Sequence, residues 1–453
     1  MVESVPNEAT EKDISALNDA LKDERMGAVT RIVNGIPGAE VALFLESLPG
    51  DKRQAVWDVV DESTQGEVLV SLHDEVRDNL IERMDTEQLV EVTKDLDLDD
   101  MADIIVDLPE EASSQLILSM DKSSRDLLNQ VLSYDEDSAG GLMNPDVLTV
   151  RSDVSIEVVM RYMQFRDSIP EPIGDLFVVG RKGHYKGRVH LETMLVSDPK
   201  TMIKDIMNED APAILDKTPA SEVAQDFEHN DWISAPVVDD KNILIGRITI
   251  DDIVDVIRDE AERSVMRMAG LNEEGDMFAP ILTSSKRRAV WLGINLLTVL
   301  LAAFAIGFYE ASIQQVVALG VLMPVVASMG GIAGSQTLTL MIRGMATGQV
   351  GSGNIKDLLS RELMIGIINS FIWAVVVAGI IVLWFQDYDL GLVIAMALAI
   401  NLVAGALAGV LVPVLLRRMS IDPAIAGGVV LTTVTDLVGF VSFLSLGTWM
   451  LVN

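Results

Sequence analysis

Polar and apolar positions divide this chain near residue 288. Beyond it lie five long apolar stretches, 289–309, 312–341, 363–385, 390–416 and 423–451, each long enough to cross a bilayer as a helix. Ahead of it, apolar residues recur in short clusters instead. Residues 1–25 are polar and charged and read as a flexible N-terminal segment. From 26 to 134 the clusters follow a helical period between turn signals: VALFLESLP, QAVWDVV, GEVLVSLH, NLIERM, QLVEVTKDLD and DMADIIVDLP. A helix closing in Leu-Pro occurs at Leu48-Pro49 and again at Leu108-Pro109. The pattern predicts an α-helical, superhelical N domain with acidic outer faces.

Residues 135–260 contain a duplication. Leu142-Met143-Asn144 followed by DVLTV is answered 64 residues later by Ile206-Met207-Asn208 followed by DAPAI. In the same way DLFVVGRKGHYKGRVHLETML is answered by SAPVVDDKNILIGRITIDDIV. Each copy, 135–203 and 204–260, orders strand, helix, strand, turn, strand, helix. The apolar runs 176–179 and 235–238 read as buried strands, each joined by a hairpin to a strand carrying Gly187-Arg188 or Gly246-Arg247. This order resembles a tandem pair of CBS domains. The resemblance implies an α/β pair packed about a pseudo-twofold axis and an adenine nucleotide such as ATP as its ligand. No Gly-rich phosphate cradle is visible, and the first copy carries an insert at 167–174. Residues 261–288, amphipathic and interrupted by Gly270 and Pro280, form a connecting segment, with a plug helix, into a transmembrane domain at 289–453. The fold class expected is a multidomain membrane protein, with an all-α five-span bundle after the helical N domain and the CBS pair.

Charge is unevenly placed. From Ser285 onward eight basic side chains face seven acidic ones, a net of +1, so the residues before Ser285 carry −35 of a total of −34. Such a portion does not bind nucleic acid; its natural partners are cations, and solubility or a salty habitat explains part of the excess. Cysteine is absent, which excludes disulfides and thiolate metal sites. The N-terminus has no apolar run, so no signal peptide is expected. Lys286, Arg287, Arg288, Arg343, Lys356, Arg361, Arg417 and Arg418 all fall on one side of the membrane, while the loops around Glu310 and 387–389 carry no Lys or Arg. The positive-inside rule then places the N-terminal domains in the cytoplasm and the C-terminus outside the plasma membrane.

Three carboxylate arrangements bear on chemistry. Asp436 is the only charge in the last apolar stretch and sits near its middle. An Asp there costs roughly 2.5–3.5 kcal/mol on insertion scales, so it should face a bundle interior or an aqueous path. Thr432 and Gly428 precede it at helical steps and Gly439 follows, making a stripe of small and polar side chains. The alternative is an Asp hydrogen-bonded by Thr432 or Thr433 that only holds helices together. The second arrangement closes the second repeat, where Asp251, Asp255, Asp259 and Glu262 recur along one helix face at steps of four, four and three. Like charges so spaced repel unless cations screen them, and both Mg2+ and Ca2+ take oxygen ligands. The run Asp95, Asp97, Asp99, Asp100, Asp103 is the densest carboxylate cluster of the N domain. Each of these two arrangements reads either as a solvated face or as a divalent-ion surface. The Gly-rich PVVASMGGIAGSQ of the second stretch reads equally as a packing seam or a cavity lining.

PVVASMGGIAGSQTLTLMIRGMATGQV, the Arg361-Glu362 pair and DPAIAGGVVLTTVTDLVGF resemble the MgtE family of Mg2+ channels. The resemblance covers nearly the whole chain. It implies a homodimer enclosing one pore in which Asp436 of each subunit binds hydrated Mg2+, with Thr432 and Gly428 alongside. It also implies cytoplasmic domains that sense Mg2+ and close the pore. The sensor ligands expected are Asp251, Asp255, Asp259 and Glu262, facing Asp100 and Asp103. The departures from the family pattern are the insert and the loosely matching N-domain carboxylates. The rival reading is a coupled secondary transporter of another divalent cation or solute with a nucleotide sensor. That would show inverted repeats or further membrane carboxylates, and neither is seen. An enzyme is not expected, because the histidines are His73, His184, His190 and His229, all ahead of the membrane part.

Overall fold

The computed structural model describes residues 8–23, 25–94, 96–106, 108, 110–165, 174–271, 276–351 and 353–452. Asp95, Pro109 and all of the 167–174 insert except Gly174 lie outside the described residues. The chain forms two compact units, Met1–Glu262 with Glu274–Ala279, and Arg263–Glu273 with Pro280–Asn453.

The first unit opens with short helices, among them Gly38–Glu46, Gly50–Trp57, Asp74–Ile81, Thr86–Thr93 and Leu98–Val106. Their length is limited by the punctuation read above. Pro37 and Pro49 each stand directly ahead of a helix, where a missing N–H costs nothing. At Leu48-Pro49 the Leu is buried, so the phrase joins the packed end of one helix to the start of the next. Asp85 and Gln88 close a reciprocal capping box at Thr86. Two three-stranded sheets follow. In the first, β1 (Thr149–Arg151) pairs parallel with β2 (Asp175–Val179), which pairs antiparallel with β3 (Tyr185–His190). In the second, β4 (Ile214–Leu215), β5 (Ser234–Val238) and β6 (Leu244–Thr249) repeat that order. The N-domain core runs on without a break into the second repeat, through Met143, Ile214, Phe227, Val237 and Ile253. The first repeat has a separate core around Leu176, Val178 and Val189. The N domain is therefore built onto the second repeat, and this sets the beginning of helix Leu98–Val106 beside the beginning of helix Ile250–Met268.

The connecting segment is not one helix. A single helix runs from Ile250 out of the second repeat to Met268 and stops at Gly270, whose φ of +68° suits glycine. Helix resumes at Ile281, already as the first long apolar element.

The second unit holds five helices long and apolar enough to cross a membrane, among the described residues: Ile281–Gly307, Val317–Ala346, Ile355–Phe385, Tyr388–Arg418 and Pro423–Val452. The first and third start eight residues ahead of their apolar stretches. Hydropathy marks only the part that meets hydrocarbon, while backbone hydrogen bonding carries a helix on through the interface, where Lys and Arg stems lie along it. The second stretch is divided at Val316, with a short helix, Glu310–Gln315, preceding the span. The fourth span is the hub, buried over more than half of its central window, whereas the first is almost wholly exposed.

Between apolar helices in lipid the hydrophobic effect gives little drive, so close backbone packing has to supply it. That is the use of the Gly-rich second span. A β-carbon at Gly405 of the fourth span would fall 2.6 Å from the Gly330 carbonyl oxygen. The seam reading of Gly330 and Gly334 therefore holds. Gly405→Leu should lower the melting temperature of the detergent-purified protein. Overpacking costs about 1–3 kcal/mol, and here the neighbour is backbone, which has no rotamer to change. An unchanged melting curve counts against this packing.

Candidate functional site

The fifth span begins where Asp422 caps it, with Pro423 at the first helical position and the Asp422 Oδ1 accepting the Ala424 N–H at 2.8 Å. The other oxygen, Oδ2, accepts from Arg267 Nη1 at 3.1 Å, so the last turn of the connecting helix is tied to this cap. Fourteen residues on, at a helical rise giving about 21 Å, stands Asp436. Its side chain is partly exposed and has no hydrogen-bond or ion-pair partner among the described residues. Thr432 does not supply one: its hydroxyl donates back to Gly428 O at 3.0 Å and Val429 O at 3.1 Å. The Thr433 hydroxyl likewise donates to Val429 O at 2.7 Å. The helix-holding role for Asp436 is thus not realised within one chain. Thr432 is exposed, and a β-carbon at Gly428 would meet nothing within 4 Å. Gly428, Thr432 and Asp436 line one open face.

Gly439 does not belong to that face. It is buried, and a β-carbon there would fall 2.7 Å from Asn401 Nδ2. At three residues past Asp436 the helix has turned about 300°, enough to carry Gly439 onto the packed side with Leu431 and Thr435. Asn401, fully buried in the middle of the fourth span, donates to Val326 O at 2.8 Å. It ties spans two, four and five together. Its one mark in the sequence is a lone amide midway along an apolar helix.

The expected cytoplasmic residues divide into separate groups. Asp97, Asp99 and Asp100 at the start of helix Leu98–Val106 face Asp251, Asp252 and Asp255 at the start of helix Ile250–Met268. Burial, then the charges of Asp252, Asp97, Asp251 and Asp255, pushes the Asp100 carboxyl up to about 7. Burial, then Asp251, raises Asp252 to about 6, although Asp252 Oδ2 accepts from the Thr249 hydroxyl at 2.9 Å. Asp99 is also held well above the usual carboxylate range by burial and Asp252, and accepts from Asn144 Nδ2 at 3.2 Å. Asp252 was missing from the expected set because it does not share the four-residue step of Asp251 and Asp255.

The other members lie elsewhere. Asp103 faces Arg77, Glu136 and Asp74 as well as Asp100. Arg258 lies 3.3 Å from Asp255 and 3.5 Å from Asp259, so that part of the face is partly neutralised within its own helix. Glu262 sits 3.3 Å from His73 Nε2, while His73 Nδ1 lies 2.6 Å from Glu46. The hydrogen bond to Glu46 and the two carboxylate charges push the His73 imidazole up to about 9. Among the described residues, no three carboxylate or imidazole groups are placed to hold a metal ion by themselves.

Asp100 and Asp252 bind protons more tightly folded than unfolded, so their contribution to stability is full below about pH 4 and is lost as pH rises to about 7. The His73 contribution is full below about 6.5 and is lost as pH rises through about 9. In EDTA the melting temperature of the purified protein should therefore fall from about pH 5 to about pH 9. The double variant Asp100→Asn, Asp252→Asn should flatten the lower half of that decline; an equal slope in both proteins refutes the assignment.

Comparison with known proteins gives matches along most of the chain. Residues 323–446 match the MgtE family model, described as divalent cation transporter. Residues 36–137 match the MgtE intracellular N domain, and 139–197 and 203–259 match the CBS domain. The magnesium transporter MgtE of Thermus thermophilus is 27% identical over 447 residues, 97% of this chain and 99% of its own. Its namesake in Bacillus subtilis is 26% identical over 432 residues, 94% of this chain and 95% of its own. Among solved structures, the cytosolic domain of the Mg2+ channel MgtE in complex with ATP is similar at 29% identity and a TM-score of 0.49. The likeness covers 54% of this chain and 99% of that one.

Proposed function

The chain belongs to the MgtE family, whose members are transporters and not enzymes, and from that premise we propose that it is a Mg2+-selective channel of the plasma membrane. Two subunits enclose one path, and cytoplasmic Mg2+ closes it. The observation that carries this reading is the unpartnered, partly exposed Asp436 midway along the last span, with Gly428 and Thr432 open beside it. A second copy meeting this face would set two such carboxylates at one depth. The second carboxylate doubles the pull on any cation, and a divalent ion feels twice the pull of a monovalent one, so the absolute gap between them doubles. Mg2+ gives up its waters reluctantly, so the carboxylates and the Thr432 hydroxyl act on its hydration shell.

Gating draws on the acidic junction. Two unit charges about 4 Å apart interact by on the order of 4 kcal/mol at an effective dielectric of about 20. A few unscreened pairs between the Asp97–Asp100 and Asp251–Asp255 groups therefore suffice to part elements whose packing is worth a few kcal/mol. Mg2+ binding there, with water and a second subunit completing the coordination, favours the compact state and moves the equilibrium by its preference for that state.

Asp436→Asn keeps the shape and loses the charge. A carboxylate about 5 Å from a divalent ion is worth about 7 kcal/mol at an effective dielectric of about 20, and even half of that lost lowers Mg2+ flux into liposomes about 100-fold or more. Flux equal to the wild type sinks the electrostatic argument. Neutralising Asp251, Asp255, Asp259 and Glu262 together should remove most of the dependence of open probability on internal Mg2+. Patch recordings that still close steeply over the wild-type range rule out this part of the reading.

A further inference from the structure

Among the described residues, the largest fully buried side chain belongs to an arginine, Arg53 of helix Gly50–Trp57. Its guanidinium is bound on every side. Nε donates to Leu45 O at 3.0 Å, in the last turn of the preceding helix, and Nη2 to Leu48 O at 3.1 Å, in the link that follows it. The remaining bonds are bidentate to one carboxylate, Nη1 to Asp276 Oδ2 at 2.9 Å and Nη2 to Asp276 Oδ1 at 3.0 Å. The two side chains are only 2% and 4% exposed. Asp276 is more than 200 residues away in sequence and is not part of the N domain. It belongs to the short link between the connecting helix and the first span. The grip extends to its backbone, since the Asp276 N–H donates to Glu75 Oε2 at 2.7 Å. The carboxylate in turn accepts the Phe278 N–H at 2.8 Å, which shapes the turn leading to Pro280.

Taking an ion pair this far from water is costly, and an apolar pair of similar volume often packs as well. Stability alone therefore does not account for it. Its position offers another reason. Asp276 is five residues from Ile281, where the first span begins, and five residues of extended chain reach at most about 17 Å. Any larger displacement of helix Gly50–Trp57 while the pair is closed has to pull on that span.

We propose that the Arg53–Asp276 pair is a latch through which the N domain acts directly on the first membrane span, in parallel with the connecting helix. This rests on the channel reading above and adds to it a second line of control. With the latch closed, compaction of the N domain by Mg2+ is delivered to the base of the first span. With it open, the N domain governs the pore only through helix Ile250–Met268.

The test uses the full-length protein in lipid, with two readouts. Hydrogen exchange at the Asp276 and Phe278 amides reads the latch itself, and Mg2+ flux at saturating internal Mg2+ reads closure. Arg53→Met should raise exchange at those amides about tenfold or more and leave a residual flux several times that of the wild type. Asp276→Ala lies in the link, outside the N-domain helices, and should do the same even where Arg53→Met folds poorly. The exchanged pair Arg53→Asp with Asp276→Arg should restore part of the closure. Unchanged exchange in Asp276→Ala overturns the latch, and so does raised exchange with closure intact. A wild type whose flux ignores internal Mg2+ overturns the channel reading and, with it, the gating role of the latch.

Discussion

A carboxylate midway along a membrane span must find compensation, and among the described residues of its own chain Asp436 has none. The threonines around it spend their hydroxyls on their own helix carbonyls. The amide of Asn401 is committed to Val326 on the far side of the helix. Insertion scales set the cost of such a group at a few kcal/mol, and the remaining spans are arranged to make that cost bearable. The fourth span is a buried hub, against which Gly-rich backbone of the second span closes without side chains. This rigid packing turns one face of the fifth helix inward and leaves the Asp436 face open. In the proposed channel the cation itself, with its waters, is the missing partner.

The cytoplasmic unit poses the same problem differently. Carboxylates from the N domain and from the end of the second repeat are brought together because one hydrophobic core spans both elements. Packing thus works against electrostatics, and the raised proton affinities of Asp99, Asp100 and Asp252 record the conflict. A cluster held this way is poised between apolar contact that closes it and repulsion that opens it. The neutralised parts of the surface mark the limits of the cluster. Arg258 relieves Asp255 and Asp259, and His73 joins Glu46 to Glu262.

The buried Arg53–Asp276 pair belongs to a third class of contact. Surface ion pairs contribute little, and this one is not at the surface. It joins parts of the chain that local folding could not bring together. The cap at Asp422, which also receives Arg267, is a smaller case of the same device.

Much of this was legible in the sequence, because the signals are local. Long apolar runs have to be spans, since every backbone polar group in lipid must be satisfied within a helix. The CBS repeats declared themselves by a duplicated order of strands and helices, and Asp436 by being the one charge in its stretch. Helix ends were less legible where charged residues extend a span beyond the hydrocarbon, as at Ile281 and Ile355. Periodicity also misplaced Gly439, because a three-residue step and a four-residue step diverge by about 100° on a helix and only packing decides which side is covered. Asp252, His73 and Arg53 carried no local signal, and Asn401 only that of a lone amide in an apolar helix. Their partners lie 27 to 223 residues away for His73, Asn401 and Arg53 by the contacts with Glu46, Val326 and Asp276, or on another helix for Asp252. Such groups acquire their roles only when tertiary folding removes them from water and leaves one partner within reach.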